Sequence, residues 1–480
     1  MSVVVASCNL AQLLSGEVIT PTEGELITGS LAIPEYQRPY CWGESQLDKL
    51  WKDYLNYKKN HQKNAWYLGS IILHKDPSGI LNIIDGQQRL TSLALIDAIL
   101  SPHPISKYVN NVSYNSPQSH HQIRSNLKWL LKVLKETSEP TFSPTDVNFT
   151  LVVTDSEDEA YRFFETQNTG GVRLTGPDII KAHHLRSIEH QQQNHYARRW
   201  ESLGDLNLLI SFLLRGRYCN TLQKRDVPSH RKPLLVRNAV VTEFGEMTTT
   251  GPDIAYGRSV SHRTNNSSQG HYLVEQAPEG YELRQPLNAG INAIHYLTYF
   301  HRIHNHFMSP DMEPEFAITP EHKNFLQCYQ ELIIPLEGCQ YLKELLDTAL
   351  MLYISQFGEK NLTTALKKLF MVIYSPRVTN EKTVKESTLN TLLDRAPVLD
   401  WIATSYTPEM CFQWLNNYTF DIDIDIKNIG PDDNSVKKRF IYQVLRYFDI
   451  KVSHDAPAQS LANEYQYTLQ NKIINLSHQD

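Results

Sequence analysis

The sequence predicts an α+β protein whose N-terminal part mixes strands and helices and whose C-terminal half is mainly helical. Between residue 31 and about residue 100, strand-like apolar runs alternate with helical ones, without a sustained strand–helix–strand repeat. From about residue 186 onward, apolar residues recur mainly at three- and four-residue steps, as they do along helices. The chain has 480 residues, of which 41% are hydrophobic and 20% charged, so it is globular and long enough for two or three domains.

Local patterns predict the elements of the N-terminal part in order. A short amphipathic piece lies near residues 10–14. A helix is predicted at residues 46–57 because large apolar residues recur there at helical spacing, namely Leu47, Leu50, Trp51 and Tyr54. Apolar runs predict strands at residues 67–73, 79–84 and 149–153, and helices at residues 90–100 and 126–134.

The C-terminal half is interrupted by a polar stretch from about residue 219 to residue 280. Within it, residues 247–252 and 263–270 are predicted to be exposed loops, because they are rich in Gly, Ser, Thr and Asn. A helix follows after residue 290, and four histidines lie off its apolar stripe: His295, His301, His304 and His306. A polar helix face is favoured over a metal site there, because acidic or cysteine ligands are missing nearby. A final long helix is predicted at residues 435–448.

The most informative motif is Asp85-Gly86-Gln87-Gln88-Arg89, between a strand-like run and a helical run. Gly86 allows a sharp turn and a close approach of the backbone to a ligand. The helix start offers free N–H groups and the positive end of a dipole, both suited to phosphate. Arg89 adds a guanidinium that can bind phosphate through two hydrogen bonds, and Asp85 could hold a metal ion or polarise a water. A lone Asp-Gly pair would indicate an ordinary turn, but two further motifs favour a binding site.

One of these motifs is Ile-Pro-Glu-Tyr-Gln-Arg-Pro-Tyr-Cys-Trp at residues 33–42. Its two prolines predict an extended segment, because each disfavours helix in the residue before it. Tyr36 and Arg38 lie between the prolines, and aromatic rings with a guanidinium can stack on a base and hold a phosphate. An alternative is that the aromatic residues are core anchors and that Arg38 is an ordinary surface residue.

The other motif spans residues 160–181. A helix is predicted to end near Asn168, where two glycines follow, and a new helix to begin after Thr175. Thr175 and Asp178 have the spacing of a capping box, which is a helix-start signature. Two helix ends would therefore meet near polar Asn168 and Lys181, although an ordinary corner between two helices would give the same pattern.

In this order and at these spacings, the three motifs resemble the N-terminal domain of the GmrSD/SspE class of modification-dependent restriction systems. A strand with Gly-Ser-Ile at residues 69–71 is the fourth shared feature, and the likeness covers roughly residues 15–190. The resemblance implies a ParB/sulfiredoxin-like fold that binds and hydrolyses a nucleoside triphosphate with Mg²⁺. It makes Asp85, Gln87, Gln88 and Arg89 the expected catalytic residues, with Asp85 as the metal ligand. The expected binding residues are Tyr36, Gln37, Arg38, Gly86, Arg89, Asn168 and Lys181.

Three regions are expected on this basis. Residues 1–190 would form the ParB/sulfiredoxin-like nucleotide-binding domain, 191–290 a helical linker with a variable polar insertion, and 291–480 a C-terminal helical domain. The family resemblance implies a sensor or regulatory subunit that acts on DNA, in particular modified phage DNA. Fused members of the family end in an HNH-type nuclease domain, whose histidine pattern does not occur in the last 150 residues. A separate HNH-type nuclease subunit is therefore the expected partner.

Two other functions stay open from the sequence. One is a nucleotide-gated DNA-binding module without turnover, and the other is a single-chain DNA nuclease that uses the ParB-like domain. The net charge of −6 does not indicate a generally basic DNA-binding surface. A local basic run from Arg215 to Arg237 could form a nucleic-acid face, but a solvated loop is the commoner meaning of such a run.

Composition bounds the location and the partners of the chain. Six scattered cysteines without a Cys-x-x-Cys pair indicate a reducing compartment, and no stretch is long and apolar enough to span a membrane. The first residues lack the features of a signal peptide, so we expect a cytoplasmic protein without membrane contact. A Walker-type glycine-rich loop is absent, which excludes P-loop chemistry. The apolar helices of the C-terminal half could pack within one chain or between chains, which leaves a homo-oligomer open.

Overall fold

The computed structural model divides into two compact units. The first comprises residues 1–174 and 188–202, and the second comprises residues 175–187 and 203–480. The structure describes residues 3–60, 65–100, 114–135, 142–157, 159–160, 163, 175–219, 227–251, 261–266, 271–276, 280–309, 311–312, 314, 317–379, 384–423, 434–450, 458–469 and 472–473. The division into three regions expected from the sequence stays a prediction.

The first unit is built on a mixed five-stranded sheet. Its strands are β1 (Val3–Asn9), β2 (Leu31–Ala32), β3 (Trp66–Lys75), β4 (Leu81–Asp85) and β5 (Val147–Thr154). They lie in the spatial order β1-β5-β3-β4-β2. The pairs β1/β5 and β3/β4 are antiparallel, whereas β3/β5 and β2/β4 are parallel. The sheet is thus mixed, which agrees with the lack of a sustained strand–helix–strand repeat in the sequence.

Helices complete the first unit and supply much of its core. They are α1 (Leu10–Ser15), α2 (Glu44–Asn60), α3 (Gln87–Leu100), α4 (Pro117–Lys135) and α6 (His190–Glu201). The four apolar residues predicted to be buried by α2 are buried, which confirms its amphipathic pattern. Trp51 stacks on Tyr54 with ring centres 5.6 Å apart, and Tyr54 contacts Phe142 at 5.0 Å. Burial of each such side chain is worth roughly 1.5–3 kcal/mol, so α2 is held mainly by this face.

The second unit is mainly helical. Its helices are α5 (Gly176–Arg186), α7 (Asn207–Tyr218), α8 (Pro233–Val241), α9 (Ile291–Phe307), α10 (Pro320–Cys328), α11 (Gln340–Phe357), α12 (Leu362–Ile373), α13 (Glu386–Arg395), α14 (Val398–Thr404), α15 (Pro408–Asn417), α16 (Val436–Tyr447) and α17 (Ala458–Leu469). From Leu345 to Ser355 every residue of α11 is buried, so this helix lies at the centre of the unit. The mixed N-terminal region and the mainly helical C-terminal half are therefore as predicted, and the ParB/sulfiredoxin likeness stays a prediction.

The polar stretch at 219–280, in which residues 247–252 and 263–270 were expected to be exposed loops, contains regular structure. It includes α8, a π-helical turn at Thr242–Glu246, and a hairpin of β6 (Ser261–Asn266) and β7 (His271–Gln276). The loop prediction for residues 263–270 was therefore wrong for the part that lies in β6. Polar residues in a two-stranded hairpin leave no apolar alternation, so the sequence carried little strand signal there.

The basic run at 215–237 is corrected in part. Arg215 and Arg217 lie in α7. Arg215 is buried, with its Nη1 3.6 Å from Glu344 Oε2 of α11, and the Arg217 side chain is only 9% exposed. The Arg217 Nε donates to Glu243 Oε1 at 2.8 Å, and its Nη1 donates to the carbonyl oxygens of Leu283 and Gln285. These two arginines therefore join parts of the second unit and do not form a nucleic-acid face or a solvated loop. Within the described ranges, no helix is both long and apolar enough to cross a membrane.

Candidate functional site

The Asp85–Arg89 motif forms a tight strand-to-helix turn in the first unit. Strand β4 ends at Asp85 and α3 begins at Gln87, with Gly86 between them at a φ of +97°. A Cβ at Gly86 would lie 2.2 Å from the Ile71 Cδ1 atom of β3, which is far inside van der Waals contact. Only glycine fits here, because it tolerates positive φ and has no side chain to clash with β3.

Arg89 fastens the turn to β3. Its Nη1 donates to the Leu68 carbonyl at 2.7 Å, and its Nη2 donates to the Ser70 carbonyl at 2.8 Å. The same Nη2 lies 2.9 Å from Asp85 Oδ2, and the Arg89 and Asp85 side chains are 23% and 28% exposed. The pair is thus reachable from solvent, but its opposite charges already offset each other.

Gln88 fastens the turn to the segment that carries the second motif. Its Nε2 donates to the Pro39 carbonyl at 3.1 Å, and its Oε1 accepts from the backbone N–H groups of Cys41 and Trp42 at 2.9 and 3.2 Å. The Gln88 side chain is buried, and its amide is engaged on both sides. One side chain therefore fixes three positions of the extended segment, namely Pro39, Cys41 and Trp42.

Gln87 and Gln37 connect the same two segments. The Gln87 Nε2 donates to the Arg38 carbonyl at 3.1 Å and to the Tyr114 hydroxyl at 3.3 Å. In the other direction, the Gln37 Nε2 donates to the Ile84 carbonyl at 2.9 Å, one residue before the turn. The structure therefore brings the two motifs together through hydrogen bonds between side-chain amides and backbone, as the family resemblance implied.

Arg38 differs from Arg89 in having a side chain without a partner. Its carbonyl is held by Gln87, but its guanidinium makes no hydrogen bond, ion pair or ring contact within the described residues. The side chain is half-buried, and the neighbouring Tyr36 is buried. A fixed backbone beneath an unpaired guanidinium is an arrangement that can receive an anion with little loss of conformational freedom.

Several residues that support this arrangement carried no signal in the sequence. Asn126 of α4 is fully buried, and its Nδ2 donates to the Tyr40 hydroxyl at 3.1 Å and to the Trp42 carbonyl at 2.6 Å. Ser92 of α3 shares a 2.8 Å hydrogen bond with the same Tyr40 hydroxyl. A single Asn or Ser on a helix is too common to indicate such a role, so these contacts emerge only from the fold.

Asn168 and Lys181 were also predicted for the site. Asn168 lies outside the described residues. Lys181 lies in α5 of the second unit, where it is buried. The capping box that begins this helix is confirmed, because Asp178 Oδ2 accepts from the Thr175 N–H at 3.0 Å and Thr175 Oγ1 accepts from the Asp178 N–H at 3.4 Å.

Metal ligands are sparse. Within the described ranges, no group of three or more His, Cys, Asp and Glu side chains could hold a metal ion, and this covers the histidines of α9. Asp85 therefore offers a single carboxylate at the turn. The last two histidines of the chain, His454 and His478, lie outside the described residues. The catalytic, binding and metal roles predicted for individual residues stay predictions.

Two protein families match the chain. Residues 23–185 match the model of the N-terminal domain of the GmrSD restriction endonuclease, and residues 192–430 match the model of a family of unknown function (DUF7834). No curated protein shows significant similarity to the chain. The first match includes both the extended segment and the turn, so the site described above lies within the matched region.

Proposed function

We propose that this chain, which belongs to the GmrSD-type restriction family through residues 23–185, is the nucleotide-hydrolysing sensor of its restriction system. Membership in that family gives the protein a role in restriction and anti-phage defence. On our proposal, a nucleoside triphosphate binds with Mg²⁺ at the turn between β4 and α3. Its state regulates a separate HNH-type nuclease subunit, and the DNA that is sensed carries phage modifications.

The unpaired guanidinium of Arg38 carries this proposal. Five hydrogen bonds hold its segment against the turn. Gln37, Gln87 and Gln88 donate one each, and the backbone N–H groups of Cys41 and Trp42 donate the other two to Gln88. The first turn of α3 supplies N–H groups without intrahelical acceptors, which favour an anion. A guanidinium next to such a helix start suits a phosphate group, because it can donate two parallel hydrogen bonds.

Asp85 fits a Mg²⁺ ion that arrives with a nucleotide. Magnesium usually keeps several waters and binds one or two carboxylates together with substrate phosphates. A single carboxylate at the turn is compatible with that donor set, whereas a metal site made of protein groups alone would need more ligands. Mg²⁺ would neutralise phosphate charge. To bind the ion, the Asp85 carboxylate would either keep its contact with Arg89 through one oxygen or give up that contact.

The remaining motif residues have defined tasks on this proposal. Arg89 keeps a positive charge beside the turn while its hydrogen bonds hold β3 in place. Gln87 and Gln88 keep the Arg38 segment in position. Glutamine orients the attacking water in some phosphoryl transfers, and for that role either amide would have to leave its backbone partner. The proposal thus separates Arg38, which binds the ligand, from residues that position it.

The test is phosphate release from a panel of ribonucleoside triphosphates by the full chain, with plain and modified phage DNA. Arg38→Ala is expected to lower phosphate release by roughly 10- to 100-fold, because a hydrogen bond to a charged group is worth about 1.5–3 kcal/mol. The matched control is Arg124→Ala, since Arg124 is exposed on α4 and lies outside the turn. Unfolding midpoints should stay unchanged in both variants.

Three results would redirect the proposal. Full phosphate release by Arg38→Ala would contradict the assigned role of that side chain. Nucleotide binding without release would favour a nucleotide-gated DNA-binding module. DNA cleavage by the isolated chain with Mg²⁺ or Mn²⁺ would favour the single-chain nuclease and remove the need for a nuclease partner.

A further inference from the structure

The second unit contains an open cleft of about 700 Å³ at its C-terminal side. It is formed by residues of α13, α14 and α15, by Thr379 and by the chain that follows α15, so it belongs wholly to one unit. The cleft is lined by Thr379, Arg395, Trp401, Trp414, Asn417, Tyr418, Thr419, Phe420, Asp421 and Asp423. Its volume lies in the range of about 300–1,000 Å³ that is usual for small-molecule sites.

Aromatic rings form one wall of the cleft. The indoles of Trp401 and Trp414 are nearly parallel, at 14°, with ring centres 6.3 Å apart. Tyr418 meets Trp401 at 58°, and Phe420 continues the wall 5.8 Å from Tyr418. Trp414 is 51% exposed, which is unusual for so large an apolar side chain. Near-parallel rings present a flat surface on which a planar ring can stack. A compact cation is better bound by rings that enclose it at right angles to one another.

Positively and negatively charged side chains line the same cleft without forming ion pairs with each other. Arg395, Asp421 and Asp423 make no ion pair or side-chain hydrogen bond within the described part of the chain. The segment that carries the two carboxylates is nevertheless fixed, because the Asp423 N–H donates to the Val378 carbonyl at 2.7 Å. Unused donors and acceptors on a fixed frame, next to an aromatic platform, are the features of a preformed binding site.

We propose that this cleft binds an unpaired nucleobase and prefers guanine. The base would stack on the indole platform, as bases do on aromatic side chains in single-strand-binding proteins. Guanine presents N1–H and N2–H side by side, which match the two oxygens of one carboxylate from Asp421 or Asp423. Its O6 and N7 accept hydrogen bonds that the fork of Arg395 can donate.

Other bases match this set of groups less well. Thymine offers one ring N–H between two carbonyl groups, which a carboxylate repels. Adenine and cytosine offer an amino group next to a ring nitrogen that accepts hydrogen bonds, so they satisfy only one oxygen of a carboxylate. The base could come from a free nucleotide or from an unstacked position of a DNA or RNA strand, and both present the same edge.

This inference does not depend on the proposed nucleotide site, because the cleft shares no residue with the Asp85–Arg89 turn. The test is calorimetric titration of the full chain with guanosine monophosphate, the three other monophosphates, and short single-stranded oligonucleotides that contain one guanine or none. All titrations are repeated in the Arg38→Ala background, which removes the main anion-binding group of the first unit. Guanine binding in the cleft should persist in that background.

Trp414→Leu is expected to weaken guanine binding by about 5- to 150-fold, since stacking on one aromatic side chain is worth about 1–3 kcal/mol per base. Asp421→Asn with Asp423→Asn should remove the preference for guanine while leaving some stacking. The matched controls are Tyr467→Leu, an aromatic residue 68% exposed outside the cleft, and Asp394→Asn, an exposed neighbour of Arg395. Because Trp414 is half exposed, its variant should fold, which an unchanged thermal midpoint would verify.

Binding of both the mononucleotide and the oligonucleotide would identify a base site open to either source, and binding of the oligonucleotide alone would identify a strand-binding site. The proposal is overturned if no guanine-containing probe binds at millimolar concentration. It is equally overturned if Trp414→Leu binds as well as the unaltered chain, or if all four bases bind equally. Loss of phosphate release with intact guanine binding would separate failure at the turn from failure at the cleft.

Discussion

Gly86 is the position in the turn that leaves no room for a side chain. Its backbone has a φ of +97°, and a methyl group in place of its hydrogen would overlap Ile71. Gly79 has a similar φ of +86°, but a Cβ there would meet nothing within 4 Å. The two glycines therefore separate the cost of positive φ from the cost of a clash.

Gly79→Ala is expected to lower the free energy of unfolding by roughly 1–2 kcal/mol, the usual cost of positive φ for an L-residue. Gly86→Ala should lower it by about 1–3 kcal/mol more, because overpacking adds to that cost. Urea unfolding followed by circular dichroism measures both. Equal losses in the two variants would show that β3 yields to the added methyl group and that the turn is less confined than its geometry indicates.

Two arginines that look alike in the sequence have different surroundings. Arg89 donates to two carbonyl groups of β3 and pairs with Asp85, whereas Arg38 has an unpaired side chain within the described residues. The sequence identified both as phosphate-binding candidates. It could not show which of the two is free to bind phosphate. The partners of Arg89 are backbone carbonyls about twenty positions away, and no residue type identifies such partners in the sequence.

At the scale of elements, Gln88 joins α3 to the extended segment before α2. Its amide accepts from two backbone N–H groups and donates to one carbonyl, across 46 to 49 positions of the sequence. Those N–H groups belong to partly buried backbone, so removal of the amide leaves them without a partner. An unsatisfied buried group costs about 1–3 kcal/mol.

Gln88→Ala is therefore expected to lower the free energy of unfolding by about 2–4 kcal/mol and to loosen the segment that carries Arg38. Its matched control is Gln118→Ala, since Gln118 is exposed on α4. Hydrogen exchange at residues 38–42 would report the loosening directly. Protection that stays unchanged in Gln88→Ala would mean that other contacts, such as those of Asn126, suffice to hold the segment.

Elements with one clear apolar face were predictable from the sequence. The predicted stripe of α2, the strand around Phe149 and the capping box of α5 all match the structure. Strand β1 was missed, because Val3 and Val5 remain 44% and 41% exposed while Ala6 and Cys8 are buried. An edge strand with apolar residues on both faces lacks the alternation that identifies a strand, and among the described strands β1 pairs with β5 alone.

At the scale of the whole molecule, His184 couples the stability of the second unit to pH. It is fully buried in α5, and its Nδ1 accepts from the Gly290 N–H at 3.3 Å. Burial, with a smaller contribution from His183, lowers the pKa of His184 to about 3. Between pH 6.5 and pH 3 the unfolded chain therefore binds a proton that the folded chain does not, so stability falls as the pH falls.

His184→Asn is expected to flatten this dependence, by up to about 1.4 kcal/mol per pH unit between pH 6.5 and pH 3. Above pH 6.5 the pH slopes of the two proteins should coincide, since His184 is then neutral in both states. The control is His121→Asn, an exposed histidine on α4. Unfolding at a series of pH values measures the slope, and an unchanged slope in His184→Asn would mean that other histidines, such as half-buried His183, dominate.

The juxtaposition of the two N-terminal motifs was expected from the family resemblance alone, whereas the sequence by itself determined the mixed N-terminal region and the helical C-terminal half. These depend on periodicity, turn chemistry and motif spacing, which are local properties of the chain. Only the tertiary structure decided which polar side chains already have hydrogen-bond partners. Gln87, Gln88, Arg89 and Arg217 donate to backbone carbonyls from remote segments, whereas Arg38 and the polar lining of the cleft do not. A backbone carbonyl is present at every position, so only the folded geometry selects the one that each side chain meets.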